Sequence, residues 1–259
     1  SIFPQPLYDV KRCIGCGNCL TACRHGAIQV IEKGYQIDYI KCKSCTDHAC
    51  VSRCFSEALT MAGEEWSVEQ VMEIIRQDLP FYQTSGGGVT FSGGEATMQM
   101  DFLLELLRHC QKEGISTALE TCSTAKWEDL QKTVPYLDVY LCDVKHTNPE
   151  KLKTETGGNA ELILKNIRRL VQAGAHVIGR IPVIPGFNSS REEIRLIGVF
   201  LRDAGITEVN LLPYHRLGVP KYSKLFGAHI PRERSLLTED EIQSLIQLLL
   251  DVGLEASLG

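Results

Sequence analysis

The feature that most constrains this chain is the placement of its cysteines, because eight of the eleven lie between Cys13 and Cys54. They form two runs of four, with the spacings C-x2-C-x2-C-x3-C and C-x2-C-x4-C-x3-C. The first run comprises Cys13, Cys16, Cys19 and Cys23, and the second comprises Cys42, Cys45, Cys50 and Cys54. Thiolates are metal ligands, so these spacings indicate the chemistry of the segment before any other residue is considered.

The two runs predict two [4Fe–4S] clusters, because in two-cluster ferredoxins the fourth cysteine of a run ligates the other cluster. We therefore expect one cluster on Cys13, Cys16, Cys19 and Cys54, and the other on Cys42, Cys45, Cys50 and Cys23. Apolar residues at matching distances, Ile28 and Leu59, follow the runs and indicate an internal repeat. The expected ferredoxin-like module covers residues 9–62.

The runs depart from the usual pattern at two points. Arg24 and Phe55 stand where proline usually follows the last cysteine, and four residues rather than two separate Cys45 from Cys50. Structural zinc could use the same thiolates, although zinc sites usually pair C-x2-C knuckles at longer separation. Disulfides would need an oxidising compartment, of which the sequence gives no sign. The spacing favours clusters.

Composition excludes some classes of function. A net charge of −5 and a pI near 5.8 argue against a nucleic-acid-binding surface, which is normally basic. The sequence has neither an apolar run of about 18 residues nor a basic and apolar leader, so we expect no membrane partner and no secretion signal. Because iron-ligating cysteines must remain thiolates, we expect a cytoplasmic location.

From residue 67 onward, short apolar runs alternate with amphipathic segments, which predicts βαβ units, a parallel sheet and an α/β fold class for residues 67–259. Strands are expected at 89–92, 115–121, 137–143, 177–183, 208–212 and 254–258. Helices are expected near 68–79, 99–113, 127–133, 159–172, 191–204 and 239–251. Capping boxes at Ser67, Ser190 and Thr238 predict three of the helix starts, and Pro80 is expected to stop the first helix.

Glycines or charged residues occur at the ends of five successive predicted strands, where parallel β/α folds carry their sites. Each has an ordinary explanation when taken alone. Paired glycines most often form turns, a neighbouring Asp and Lys form a solvated ion pair, and a single histidine is usually a surface residue. Together they predict a cradle with a carboxylate for an ammonium group, a lysine for a carboxylate, and glycines that allow close backbone approach.

The string Ser85–Gln99, SGGGVTFSGGEATMQ, is followed by Asp143-x-Lys145, Arg180-x-Pro182-x-Ile184-Pro185-Gly186 and Pro213-Tyr214-His215. In this order the motifs resemble the glycyl-radical-enzyme activating proteins, the relatives of pyruvate formate-lyase activating enzyme in the radical SAM superfamily. The resemblance covers nearly the whole chain. It implies a partial (β/α)6-type radical SAM barrel, without its first strand, and an inserted two-cluster ferredoxin-like module.

The resemblance implies a cofactor-binding role for nine residues: Gly93, Gly94, Glu95, Glu120, Thr121, Asp143, Lys145, Arg180 and His215. Gly93, Gly94 and Glu95 would bind the amino group of S-adenosylmethionine. Glu120, Thr121 and Asp143 would also lie at a monovalent-cation site beside it. No residue is assigned a catalytic role of its own.

The activity implied by the resemblance is reductive cleavage of S-adenosylmethionine to methionine and a 5′-deoxyadenosyl radical. That radical would take a hydrogen atom from a glycine of the partner, a glycyl radical enzyme. A flavodoxin or a ferredoxin-type reductant would supply electrons, which the two clusters would relay. Basic residues in the connection 216–237, Lys221, Lys224, Arg232 and Arg234, would either contact the partner or form a solvated loop.

One family motif is missing, the C-x3-C-x2-C whose cysteines hold the cluster that cleaves S-adenosylmethionine. Cys110, Cys122 and Cys142 are too dispersed to replace it, and we expect them to be buried structural thiols. We therefore expect the third cluster only in a longer form that carries the motif upstream of Ser1. Two alternatives are an electron-transfer protein and a docking protein on a degenerate barrel; the retained Gly-Gly-Glu and Asp-x-Lys motifs favour the activating enzyme.

Overall fold

The computed structural model describes residues 5–217 and 234–259, which fall into two compact units. Within the described residues, the first unit comprises 5–65 and 215–217, and the second comprises 66–214 and 234–259. Lys221, Lys224 and Arg232 of the basic connection lie outside the described residues.

The first unit contains two antiparallel ribbons. Strand β1 (Gln5–Tyr8) pairs with β4 (Leu59–Ala62), and β2 (Ile28–Ile31) pairs with β3 (Gly34–Ile37). Three helices of one turn carry or flank the cysteines: α1 (Asn18–Ala22), α2 (Tyr39–Cys42) and α3 (Ala49–Ser52). These elements were not predicted individually, because runs of four or five residues are too short to show an apolar period.

Cysteines make up part of the core of the first unit. Cys19, Cys42 and Cys50 are buried beside Tyr8, Tyr35, Ala27, Ile28, Ile37, Ala58 and Leu59. A unit of this size buries little apolar surface, so ligands bound by the thiols are expected to contribute much of its stability.

Among the described residues, six strands of the second unit form a parallel sheet in the order β10-β9-β8-β7-β6-β5. They are β5 (Gly88–Phe91), β6 (Ser116–Thr121), β7 (Val139–Asp143), β8 (Val177–Val183), β9 (Glu208–Pro213) and β10 (Glu255–Leu258). Consecutive strands are neighbours, and the order has no reversal point of the kind found in doubly wound sheets. The parallel sheet confirms the predicted α/β class.

The helices of this unit are α4 (Val68–Gln77), α5 (Leu79–Ser85), α6 (Met100–Lys112), α7 (Trp127–Leu130), α8 (Pro149–Thr156), α9 (Ala160–Gln172), α10 (Arg191–Asp203) and α11 (Glu239–Asp251). The capping boxes predicted at Ser67, Ser190 and Thr238 are confirmed. Helix α4 ends at Gln77, before Pro80, as predicted; Pro80 itself lies in the first turn of α5, which was not predicted, where its missing N–H costs nothing. Within the described residues, no helix has the length and apolar character needed to cross a membrane.

The two faces of the sheet differ in burial. Alternate residues of a strand point to opposite faces, and Leu119, Tyr140, Ile181 and Leu211 are fully buried on the covered face. Residues on the other face are only partly buried; they include Glu120, Leu141, Asp143, Ile178, Arg180, Asn210 and Leu212. We call this second surface the open face. The covered face holds the core, so the open face is the one available to a ligand.

Candidate functional site

Two cavities in the first unit are lined by cysteines. The first cavity is lined by Cys13, Cys16, Cys19 and Cys54, together with Tyr8, Tyr35 and Ser56. The second cavity is lined by Cys23, Cys42, Cys45 and Cys50, together with Arg24, Ala27 and Asp47. Each cavity therefore combines three cysteines of one run with the fourth cysteine of the other run, as the ferredoxin-type assignment expects.

Backbone donors are directed at one sulfur in each cavity. The amide of Ala27 donates to Cys23 Sγ at 3.2 Å, and the amide of Leu59 donates to Cys54 Sγ at 3.3 Å. Hydrogen bonds of this kind are typical of sulfurs that ligate iron clusters. In the part of the chain that the structure describes, no three His, Cys, Asp or Glu side chains are placed to hold a single metal ion. Four thiols around each cavity wall, with backbone donors, fit a cluster.

Three of the thiols that line these cavities have a raised pKa. Burial, followed by the nearby Cys23 and Cys42, raises the pKa of Cys50 to about 11. Burial is also the main cause of the raised pKa of Cys19 and Cys42. Several thiolates confined together repel one another, so the cavities favour cationic iron as their counterpart.

In the second unit, the loop after β5 places Glu95 among hydrogen-bond donors. Its carboxylate accepts from Thr97 Oγ1 at 2.7 Å, Thr121 Oγ1 at 2.8 Å, and both the amide and Sγ of Cys122 at 2.8 Å. Burial by itself would raise the pKa of Glu95, but the hydrogen bonds from Cys122, Thr97 and Thr121 outweigh it, and the pKa is lowered. Glu95 is thus an ionised side chain that anchors its own loop to the loop after β6.

Gly93 and Gly94 precede Glu95 and leave space around the backbone. Gly93 has φ of 123°, and a Cβ placed on either glycine would meet no atom within 4 Å. Because the Glu95 carboxylate is turned toward Thr121 and Cys122, the backbone of the two glycines is what this loop presents to an incoming group.

Glu120 and Arg180 form an ion pair across the open face. Glu120 also accepts a hydrogen bond from Ser92, so the pair ties the loop after β5 to β6 and β8. The two side chains are 31% and 20% exposed. Burial lowers the pKa of Arg180, which nevertheless stays a cation.

Asp143 and Lys145 form a second ion pair, with Lys145 Nζ 2.8 Å from Asp143 Oδ2.

Asn188 holds this strand end and was not predicted from the sequence. Its side chain is fully buried. Its Nδ2 donates to the carbonyls of Lys145 and Pro182 at 2.7 and 2.8 Å, and its Oδ1 accepts from the amide of Ile184 at 2.7 Å. Its position two residues after Pro185-Gly186 is the only sequence signal that could have indicated it.

The three residues implied for a monovalent cation make separate contacts. Thr121 bonds to Glu95, Glu120 pairs with Arg180, and Asp143 pairs with Lys145. His215 belongs to the first unit, where its Nδ1 accepts a hydrogen bond from the amide of Leu217 at 3.3 Å. The structure thus brings Glu95 and Thr121 together, while Glu120 and Asp143 each pair with a basic side chain.

The remaining cysteines divide into two kinds. Cys110 and Cys142 are fully buried, and burial raises their pKa to about 11 and about 12, so both are protonated structural thiols as expected. Cys122 is only partly buried, and its thiol donates to Glu95. Cys122 is therefore less buried than expected, although its hydrogen bond to Glu95 fits a structural thiol.

Comparisons with known proteins agree with this geometry. Residues 47–196 match the radical SAM superfamily, and residues 12–71 match a 4Fe-4S dicluster domain. The indoleacetate decarboxylase activating enzyme of Tractidigestivibacter scatoligenes is 39% identical over 86% of this chain and 73% of its own length. The isethionate sulfite-lyase activating enzyme of Desulfovibrio desulfuricans is 37% identical over 93% of this chain and 78% of its own length.

A solved structure is also similar. The crystal structure of a domain of pyruvate-formate lyase-activating enzyme from Bacteroides vulgatus superposes with a TM-score of 0.57 and 33% identity, covering 67% of this chain and 99% of that domain. The chain therefore belongs to the glycyl-radical-enzyme activating enzymes of the radical SAM superfamily. Iron–sulfur clusters and S-adenosylmethionine are the cofactors of such a protein.

Proposed function

We propose that this chain is the activating enzyme of one glycyl radical enzyme, and that the open face of its sheet binds S-adenosylmethionine. The main support for this proposal is two ion pairs, Glu120–Arg180 and Asp143–Lys145. They accompany the unobstructed backbone of Gly93 and Gly94. Bound S-adenosylmethionine supplies the radical chemistry of the family. We further propose residues 9–62 as the ferredoxin-like two-cluster module and residues 67–259 as the partial radical SAM barrel.

Each residue of the open face has a separate task in this proposal. The backbone of Gly93 and Gly94 receives the amino group of the cofactor, and Glu95 fixes their loop. Lys145 binds the cofactor carboxylate, since its pairing with Asp143 engages only part of the donor capacity of an ammonium group. Arg180, held by Glu120, keeps a positive charge on the same face. We keep His215 as a proposed cofactor-binding residue. We also keep Glu120, Thr121 and Asp143 as a proposed site for a monovalent cation.

The first unit relays electrons in this proposal. Cys13, Cys16, Cys19 and Cys54 hold one [4Fe–4S] cluster, and Cys23, Cys42, Cys45 and Cys50 hold the other. Their donor is a flavodoxin or a ferredoxin-type protein. The cluster that cleaves S-adenosylmethionine belongs to a longer form with a C-x3-C-x2-C motif, which the 259 residues lack.

We propose the partner only by its class, as a glycyl radical enzyme. The relatives are named as activating enzymes of an indoleacetate decarboxylase, an isethionate sulfite-lyase and a choline trimethylamine-lyase, at 37 to 39% identity to this chain. Enzymes with such different substrates are matched about equally well, so the shared element is the glycyl radical enzyme itself.

The test is anaerobic iron and sulfide analysis with EPR of the reduced protein, before and after S-adenosylmethionine is added. For the 259 residues we expect about eight irons and an EPR signal that the cofactor does not change. A longer form with the C-x3-C-x2-C motif should bind about twelve irons, show a signal that shifts with the cofactor, and activate a glycyl radical enzyme. Eight irons and no cofactor effect in the longer form would instead indicate an electron-transfer protein.

A Lys145→Ala variant of the longer form tests the proposed cofactor site separately from the clusters. It should keep all its iron and bind S-adenosylmethionine more weakly, because Lys145 lies in the second unit and is not one of the proposed cluster ligands. Unchanged affinity would remove Lys145 from the proposed site.

A further inference from the structure

The first and second cavities differ in the side chains that face their sulfurs. Tyr8 lines the first cavity together with Cys13, and its side chain is only 1% exposed. The Tyr8 ring packs edge to face against Tyr35, with centroids 6.2 Å apart and planes at 74°. The hydroxyl is therefore held against the cavity by packing on its ring.

The chain leaves room for this hydroxyl at Gly34. A Cβ on Gly34 would lie 2.3 Å from the Tyr8 hydroxyl oxygen, and the φ of Gly34 is 103°. Only glycine satisfies both conditions. The tight β2–β3 turn thus admits the Tyr8 hydroxyl as well as reversing the chain.

A second hydroxyl lies in the first cavity, where Ser56 Oγ is 3.7 Å from Cys54 Sγ. When a cysteine ligates iron its sulfur carries no proton, so a hydroxyl beside it must be the donor. Cys54 is a ligand of the proposed first cluster, which would then receive a hydrogen bond from Ser56 in a cavity that Tyr8 also lines.

The second cavity has a carboxylate instead. Asp47 Oδ1 lies 3.3 Å from Cys45 Sγ and accepts from the thiol, a hydrogen bond that disappears once the sulfur ligates iron. A negative oxygen then faces a negative sulfur. Arg24 lies 3.7 Å from Asp47, but its side chain is 83% exposed and offsets the charge only weakly. Among the residues that the structure describes, backbone donation is similar in the two cavities, with the Ala27 amide donating to Cys23 and the Leu59 amide to Cys54.

A cluster gains one negative charge when an external one-electron donor reduces it from the 2+ to the 1+ state, with no bond or proton transferred. Hydrogen bonds to its sulfurs stabilise that charge, and a nearby carboxylate opposes it. We propose that the cluster of the first cavity has the higher reduction potential, set by Tyr8 and Ser56, and that Asp47 lowers the potential of the second. This inference rests on the proposed occupancy of both cavities.

The two clusters are then unequal relay stations. An electron delivered to the module resides mainly on the first cluster, and the second cluster is the stronger reductant. Tyr8, Ser56 and Asp47 tune this difference without binding iron themselves.

The test is an anaerobic redox titration of the iron-loaded 259-residue protein, followed by EPR, with Tyr8→Phe and Ser56→Ala variants. Loss of one hydroxyl from the first cavity should lower the reduced-to-oxidised ratio of the first cluster roughly fivefold at fixed potential, or about 40 mV for a one-electron couple. Asp47→Asn should raise the ratio of the other couple, and this opposite shift assigns the two signals.

Tyr39→Phe is the matched control, because the Tyr39 hydroxyl donates to the carbonyl of Pro6 at 3.1 Å and not to a sulfur. It should leave both potentials unchanged. Eight irons with potentials that Tyr8→Phe and Ser56→Ala do not move would overturn the inference alone. Fewer than about eight irons in the unaltered protein would overturn the proposed occupancy and the inference together.

Discussion

Glu95 bears a negative charge on a half-buried side chain, and the surrounding loops stabilise it with hydrogen bonds from Thr97, Thr121 and Cys122. A carboxylate with this many donors is costly to replace, because each donor loses its acceptor while it stays away from water. Glu95 therefore links the loops after β5 and β6 as well as bordering the glycines that precede it.

Glu95→Gln should lower the free energy of unfolding by about 1–3 kcal/mol at neutral pH, since the amide nitrogen cannot accept from Cys122. The folded-state pKa of Glu95 lies below its ordinary value of 4.5, so its contribution is complete above that pH and is lost as the pH falls through the folded-state pKa. The difference between the two proteins should therefore narrow in acid. Urea unfolding at several pH values measures it.

The exposed Glu128→Gln is the control for this series and should stay within about 0.5 kcal/mol of the unaltered protein. A Glu95→Gln effect as small as that of the control would show that the hydrogen bonds to Glu95 contribute little to stability.

At the level of elements, the sequence predicted what has a local cause. The six strands of the sheet and the capped helices α4, α10 and α11 follow from apolar period and Ser/Thr caps, and the structure places them where predicted to within two residues. Helix α8 was not predicted, because Leu152 is its only large apolar residue and no stripe forms. The contacts of Glu95 with Thr121, of Glu120 with Arg180 and of Asn188 with Lys145 could not be predicted either, since each joins residues far apart in the chain.

Asn188 lies in the connection after β8, and its contacts allow a second prediction. Asn188→Ala removes three hydrogen bonds to the buried backbone of Lys145, Pro182 and Ile184 and should cost about 3 kcal/mol or more in unfolding free energy. It should also weaken binding of S-adenosylmethionine, because the strand end that carries Lys145 loses its anchor. Urea unfolding and equilibrium dialysis measure the two effects.

Asn159→Ala is the matched control for Asn188→Ala. It removes one N-cap hydrogen bond, to the amide of Leu162, and should cost only about 1 kcal/mol with no change in cofactor affinity. Equal costs for the two variants would contradict a special role for Asn188.

On the scale of the whole molecule, the two units obtain their stability in different ways. The second unit has a continuous apolar core on the covered face of its sheet, with residues such as Leu107, Ile167 and Leu201 fully buried. The first unit buries few apolar side chains, and Cys19, Cys42 and Cys50 occupy part of its core. The cysteine spacing predicted which thiols share a cavity. It did not predict that Cys19, Cys42 and Cys50 are buried in the core, which the structure shows.

Anaerobic removal of iron should therefore affect the units unequally. Without clusters, the first unit keeps a small core and several crowded thiols, so backbone amides in residues 5–65 should lose most of their protection against hydrogen exchange. Amides of β6–β9 should keep theirs, because the covered face contains no cluster ligand. Peptide-level hydrogen exchange before and after chelation, with reconstitution as the control, measures both regions. Equal loss of protection in the two regions would mean that the sheet also depends on the clusters. Unchanged protection in residues 5–65 would mean that the apolar residues around Tyr8 and Tyr35 are enough to fold the first unit.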